Sequence, residues 1–148
     1  MKKIAYITVI LCLLLACGPR KEYREALQRA EAVINDHPDS ALHILEQMKD
    51  TMQHAGKADR MYYELLSIKA ADKADQLKPD ADRILPIVAY YEKGGDKSLL
   101  PTAYYYAGRT YYELHDAPQA LVYFQKAAEE YENNNNATGD IPVTHECP

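Results

Sequence analysis

The chain has 148 residues, with 17 Lys and Arg against 22 Asp and Glu and a formal charge of −5. That balance excludes a nucleic-acid binder, whose affinity rests on neutralising phosphates with Lys and Arg, and it gives no attraction to anionic lipid headgroups. At 26% charged and 47% hydrophobic, the composition is that of one ordinary globular domain.

The first twenty residues, MKKIAYITVILCLLLACGPR, depart from that average. Lys2 and Lys3 precede residues 4–15, which are apolar except for Thr8, and small residues follow, the pattern of a secretory signal peptide. The apolar run is too short to span a bilayer, which takes about 20 residues. The junction Leu14-Leu15-Ala16-Cys17-Gly18 resembles a bacterial lipobox. The resemblance implies a signal peptide over residues 1–16, cleavage before Cys17, a diacylglyceryl thioether on its sulfur and a lipidated linker over residues 17–20. Two or more acyl chains give stable anchoring where one does not, so the expectation is an exported protein held on a membrane of the cell envelope, the outer membrane, without crossing it. Cys12 leaves with the signal and Cys17 carries lipid, so Cys147 has no intramolecular partner. The chain is then no disulfide scaffold.

From residue 21 onward the apolar period is helical, and no run shows the alternation of a half-buried strand. Residues 21–37 place Tyr23, Leu27, Ala30 and Val33 at helical spacing and end at His37-Pro38. A second helix starts at the cap-like Asp39-Ser40, carries Ala41, Leu42, Leu45 and Met48 on one face and runs to Asp50, completing a hairpin. The third, residues 57–76, has a stripe of Ala58, Met61, Leu65 and Ile68 widened by Tyr62 and Leu66. Its partner, from about Asp80 to Lys93, stops at Gly94-Gly95, where a left-handed cap is easy; Pro86 inside it requires either a start near Arg83 or a kink. The fifth helix opens at residues 98–101, where Pro suits the first turn, and continues to Leu114. The sixth follows His115-Asp116-Ala117-Pro118 and runs to about Tyr131. Four asparagines at 133–136 break the pattern, and residues 133–148, polar and without apolar period, are expected to be a disordered tail. Six helices in about three antiparallel pairs give an all-α fold, a short solenoid of the helical-repeat kind.

The last pair, residues 101–132, reads PTAYYYAGRTYYELHDAPQALVYFQKAAEEYE. It resembles a tetratricopeptide repeat, a unit of roughly 34 residues with an aromatic, a small residue, Gly and Tyr on its first helix and Ala, an aromatic and Ala on its second. Tyr104, Ala107, Gly108 and Tyr111 match the first set, and Ala120, Phe124 and Ala127 the second. Gly108 and Ala120 let the helices approach closely while Tyr104, Tyr111 and Phe124 fill the space around them; Tyr106 lies toward a flank. Glu132 stands where the family has a proline. The pairs at 21–50 and 57–93 look like degenerate repeats, so residues 21–132 form the helical domain and 101–132 its motif-grade part.

No nucleophile motif, phosphate loop or paired-histidine helix is present. His37, His43, His54 and His115 lack ligand spacing, and His145-Glu146-Cys147 is one short cluster without a preorganised ligand set. The reading is of no enzyme, no cofactor and no metal. The resemblance implies a groove for a protein or peptide partner along the first helix of each pair. Tyr105, Arg109 and Tyr112, at i, i+4 and i+7, form one strip, with Thr102 and Glu113 beside it and Tyr63 on the third helix extending it. Ring, guanidinium and ring can grip a peptide carboxylate or an aromatic side chain, or the two rings can pack on the preceding repeat. Leu121, Ala128 and Tyr131 would face a following repeat, and none follows; a homodimer through this end, or truncation of a longer chain, would account for them. The function implied is a membrane-anchored interaction scaffold. The alternative is a sensory, self-associating N-terminal part of a longer envelope signalling protein.

Overall fold

Among the described residues, apolar side chains at every third or fourth position produce six α-helices: α1 Pro19–Val33, α2 Pro38–Gln53, α3 Lys57–Lys73, α4 Ala81–Glu92, α5 Leu100–Glu113 and α6 Ala117–Thr138, with a 3-10 turn at Lys97–Leu99 leading into α5. The computed structural model describes residues 19–138, and among them regular structure is helical only. The signal segment, Cys17 and residues 139–148 lie outside the described residues.

Helix starts follow local chemistry, with one shift from expectation. In α2, Pro38 takes the first turn and His37 is the N-cap without a side-chain bond. Asp39 is therefore not the cap; its carboxylate sits in the first turn, where the helix dipole favours it, and accepts from Gln76 Nε2 at 3.0 Å. In α4, Asp80 caps the backbone, its Oδ1 accepting from Asp82 N at 2.9 Å and Arg83 N at 3.3 Å. The helix thus begins at Ala81, ahead of Pro86, which lies inside it. Pro86 is exposed, and the backbone bond it forfeits is to Asp82, one turn from the helix start.

Three helices end by one device. Gln76 N returns to Ala71 O at 2.8 Å, Gly95 N to Tyr90 O at 3.1 Å and Asp116 N to Tyr111 O at 2.9 Å, while the preceding residues Asp75, Gly94 and His115 take φ of 55°, 136° and 60°. This is the Schellman closure, which favours glycine at the positive φ. Only the middle one has it. His115→Gly is expected to stabilise the protein by about 0.5–1 kcal/mol, read as a higher urea midpoint at unchanged slope.

α6 passes through the four asparagines to Thr138, so residues 133–138 are helix and not tail. Asparagine is a weak helix former and no breaker; the first glycine after the helix starts is Gly139.

The chain divides into two compact units, Met1–Gln76 and Leu77–Pro148. The boundary falls within the pair expected from residues 57–93. In the first unit α1, α2 and α3 pack on one another around Leu27, Ala30, Ile34, Leu45, Met52 and Leu66. Asp59, in the first turn of α3, is buried. It accepts from Tyr23 Oη at 3.1 Å and Arg24 Nε at 3.2 Å, donors that a buried carboxylate requires. The Tyr62 hydroxyl donates to Glu31, also on α1. Leu65, Leu66 and Ile68 of the expected α3 stripe are buried, and Tyr63 and Ala70 join them; at the start of the helix the stripe fails, with Ala58 exposed and Met61 and Tyr62 half-buried.

In the second unit α5 packs on both α4 and α6. Ile84, Ile87, Val88 and Tyr91 from α4 are buried, as are Leu100, Ala103, Tyr104, Tyr106 and Ala107 from α5 and Ala120 from α6. Lys97 Nζ donates to Tyr91 O at 2.8 Å and Glu92 O at 2.7 Å, satisfying carbonyls that the end of α4 leaves open.

Candidate functional site

Packing on two sides decides which rings of α5 remain outside. Tyr104 and Tyr106 are buried, Tyr111 is half-buried, and Tyr105 and Tyr112 are 45% and 59% exposed. Tyr106, expected on a flank, is at 3% the most enclosed of the five. Thr110, also buried, donates its hydroxyl to Tyr106 O at 2.8 Å and so brings no unsatisfied polar group inside.

Gly108 fixes the closest approach of α5 and α6. A Cβ there would lie 2.6 Å from Cδ1 and Cε1 of Phe124. Phe124 in turn supports the outer strip: its ring centroid is 5.7 Å from that of Tyr105, which meets Tyr106 edge-on at 5.1 Å. Tyr105 is thus held by two rings beneath it and still presents nearly half its surface.

Arg109, half-buried, has its guanidinium 5.5 Å from the Tyr112 ring centroid, and its Nη2 donates to Glu113 Oε1 at 3.1 Å. Tyr105, Arg109, Tyr112 and Glu113, with half-buried Thr102, share one arc of α5. The arc offers two aromatic faces and a guanidinium with further donors, already oriented by its neighbours. Exposed aromatic and arginine side chains of this kind are the residues that dominate protein interfaces. Tyr63 differs: it is buried in the core of the first unit, where it serves packing, and it does not present a ring to a groove.

On the other side of α5 a second cluster, not foreseen from the sequence, locks the unit. Tyr104 Oη donates to Glu92 Oε1 at 2.8 Å. Lys126 Nζ lies 3.7 Å from the same oxygen and 5.2 and 5.4 Å from the ring centroids of Tyr104 and Tyr123. Tyr111 stacks on Tyr123 at 5.5 Å with 6° between planes. Burial first, then the hydrogen bond to Glu92, push the Tyr104 phenol well above its ordinary value; burial, then Tyr111 and Glu92, push Tyr123 up. The cue available in the sequence is the four-residue spacing of Tyr123 and Ala127 around Phe124 and Lys126, which reads as core before it reads as cluster. Among the described residues no three of His, Cys, Asp and Glu group as metal ligands, and no helix is long and apolar enough to cross a membrane.

α5 and α6 thus form a helical hairpin of the repeat kind, with two exposed rings and a half-buried arginine along its first helix. Residues 102–134 match the family model described as tetratricopeptide repeat. That segment is a tetratricopeptide repeat, and such repeats typically serve as non-catalytic scaffolds that bind protein partners. No curated protein and no solved structure matches the chain.

Proposed function

We propose that the protein is an exported lipoprotein, anchored through Cys17 at the outer membrane of a bacterial cell envelope, that works as a protein-interaction scaffold without catalytic activity. The observation that carries the binding part is the strip of Tyr105, Arg109 and Tyr112: two exposed rings flank a guanidinium on the repeat's first helix, braced from below by Tyr106 and Phe124. The partner is a protein or extended peptide that lays an aromatic side chain or a carboxylate along this strip. A carboxylate must compete with Glu113 for Arg109, so aromatic contacts carry much of the selectivity. Capture of envelope partners by the full chain is expected to fall about tenfold or more with Tyr105→Ala combined with Arg109→Glu, a loss typical of interface anchors. Undiminished capture would assign the strip to structure alone. The anchor is supported by the lipobox-like residues, and mass spectrometry of the mature N-terminus tests it: an unmodified Cys17 in an uncleaved chain would refute it.

A second reading, in which the chain is a self-associating, sensory part of a longer envelope protein, rests on the exposed Leu121, Val122 and Tyr131 on α6; the acidic side chains on the same helix count against it. Its signature is a mass that rises with concentration in light scattering.

A further inference from the structure

The side of α6 turned away from α5 carries Leu121, Val122, Gln125, Ala128, Glu129 and Glu132, all exposed, Leu121 at 58% and Val122 at 45%. Helical geometry joins these positions in one stripe. Its halves differ in character. Leu121 and Val122 make an apolar head; Glu129 and Glu132, two to three turns along, make an acidic foot. Neither glutamate forms an ion pair among the described residues. Lys126, the single cation of α6, is directed to the opposite side, toward Glu92 and the rings of Tyr104 and Tyr123. The last turn of α6 has no basic residue either.

Charge decides what this stripe fits. An antiparallel pairing of two α6 helices over the full stripe sets the acidic foot of each on the apolar head of the other, and a parallel pairing sets foot on foot. Both arrangements bring glutamates against apolar or like-charged surface and supply no cation to offset their desolvation. A helix of opposite polarity meets neither problem. We propose that the stripe docks an amphipathic helix of another protein, one that places large apolar side chains over Leu121 and Val122 and Lys or Arg over Glu129 and Glu132. The site is independent of the strip on α5.

Fluorescence anisotropy of the full chain tests this with two synthetic helical peptides. One carries leucines in one turn and lysines two to three turns along; its twin has glutamates for the lysines. The lysine peptide is expected to bind at least about tenfold more tightly, a difference of the size one or two charge-assisted contacts give. Leu121→Asp should weaken it by a similar factor, and Glu129→Gln with Glu132→Gln should erase both the preference and its salt dependence. These positions are exposed, so the variants keep their helical circular dichroism. Tyr105→Ala, on α5, should leave the peptide's affinity unchanged, which separates this surface from the groove. Equal binding of the twins, binding indifferent to Leu121→Asp, or no binding would overturn the proposal. So would a wild-type dimer dissolved by Leu121→Asp, which would assign the stripe to a second copy.

Discussion

Replacing Gly108 by alanine is expected to destabilise the protein by about 1–2 kcal/mol, and by valine by about 3 kcal/mol or more, magnitudes usual for overpacking. Alanine at an open helical position would do the opposite, gaining up to about 1 kcal/mol over glycine, so the sign of the effect is itself informative. The new Cβ would meet Phe124 at 2.6 Å from Cδ1 and Cε1 and 3.0 Å from Cγ, far inside the 3.5–4.0 Å or so at which carbon atoms attract. A ring cannot bend away as a chain end can, and this one is flanked by Tyr105. A double-mutant cycle isolates the contact: Phe124→Leu costs stability alone but should relieve most of the penalty of Gly108→Ala, giving a coupling of roughly 1 kcal/mol or more. A Gly108→Ala protein more stable than wild type in urea would show that the helices are not held at contact. Because Phe124 braces Tyr105, the same substitution should also weaken partner capture in the fraction that remains folded.

Gly108, Phe124 and Ala120 were readable because the repeat places a small residue opposite a ring, and that complementarity survives without coordinates. Asp80 was readable as a helix start for a similar reason, since a carboxylate beside open N–H groups is a local matter. Tyr106 was not. A periodic reading allots a helix one buried face, and α5 is packed on two sides, by α4 and α6, so its buried arc widens to include Ala103, Tyr106 and Thr110. The same reasoning covers α3, which packs on both α1 and α2 and draws Tyr63 into the core, away from the groove expected for it. The left-handed turns at Asp75 and His115 gave no signal, because neither residue type demands that conformation; only Gly94 announced its turn. The asparagine run misled in the reverse sense, since weak propensity was read as termination. In the strip itself, Tyr105, Arg109 and Tyr112 follow from spacing, but the pairing of Arg109 with Glu113 depends on rotamers that spacing does not set.

Alkaline pH is expected to unfold the second unit steeply. Burial, followed by the charges of Tyr90 and Asp96, holds the Tyr91 phenol well above its ordinary value, and Tyr104 is raised by burial and by donating to Glu92. For a group whose folded pKa is raised, the stability contributed by its proton is complete below the unfolded value, near 10 for tyrosine, and is lost as pH climbs toward the folded one. In that window each such tyrosine removes up to about 1.4 kcal/mol per pH unit, so the pair removes up to about 3; Tyr123, half-buried, adds less because solvent screens it. A few kcal/mol is a large part of the 5–15 kcal/mol or so that stabilises a domain. Tyr91→Phe separates this from lysine titration. The Tyr91 hydroxyl is buried without a hydrogen-bond partner among the described residues, so the phenylalanine variant keeps the ring and discards a polar group whose burial is uncompensated. Its stability at neutral pH should equal wild type or exceed it by about 1 kcal/mol, and its alkaline midpoint, followed by helical circular dichroism, should move upward. Tyr104→Phe should differ, losing stability at neutral pH with the Glu92 bond while flattening the alkaline slope. Coincident alkaline transitions for all three proteins would mean that these phenols ionise without unfolding the helices around them, and that the rings of α4 and α5 are less enclosed than their packing indicates.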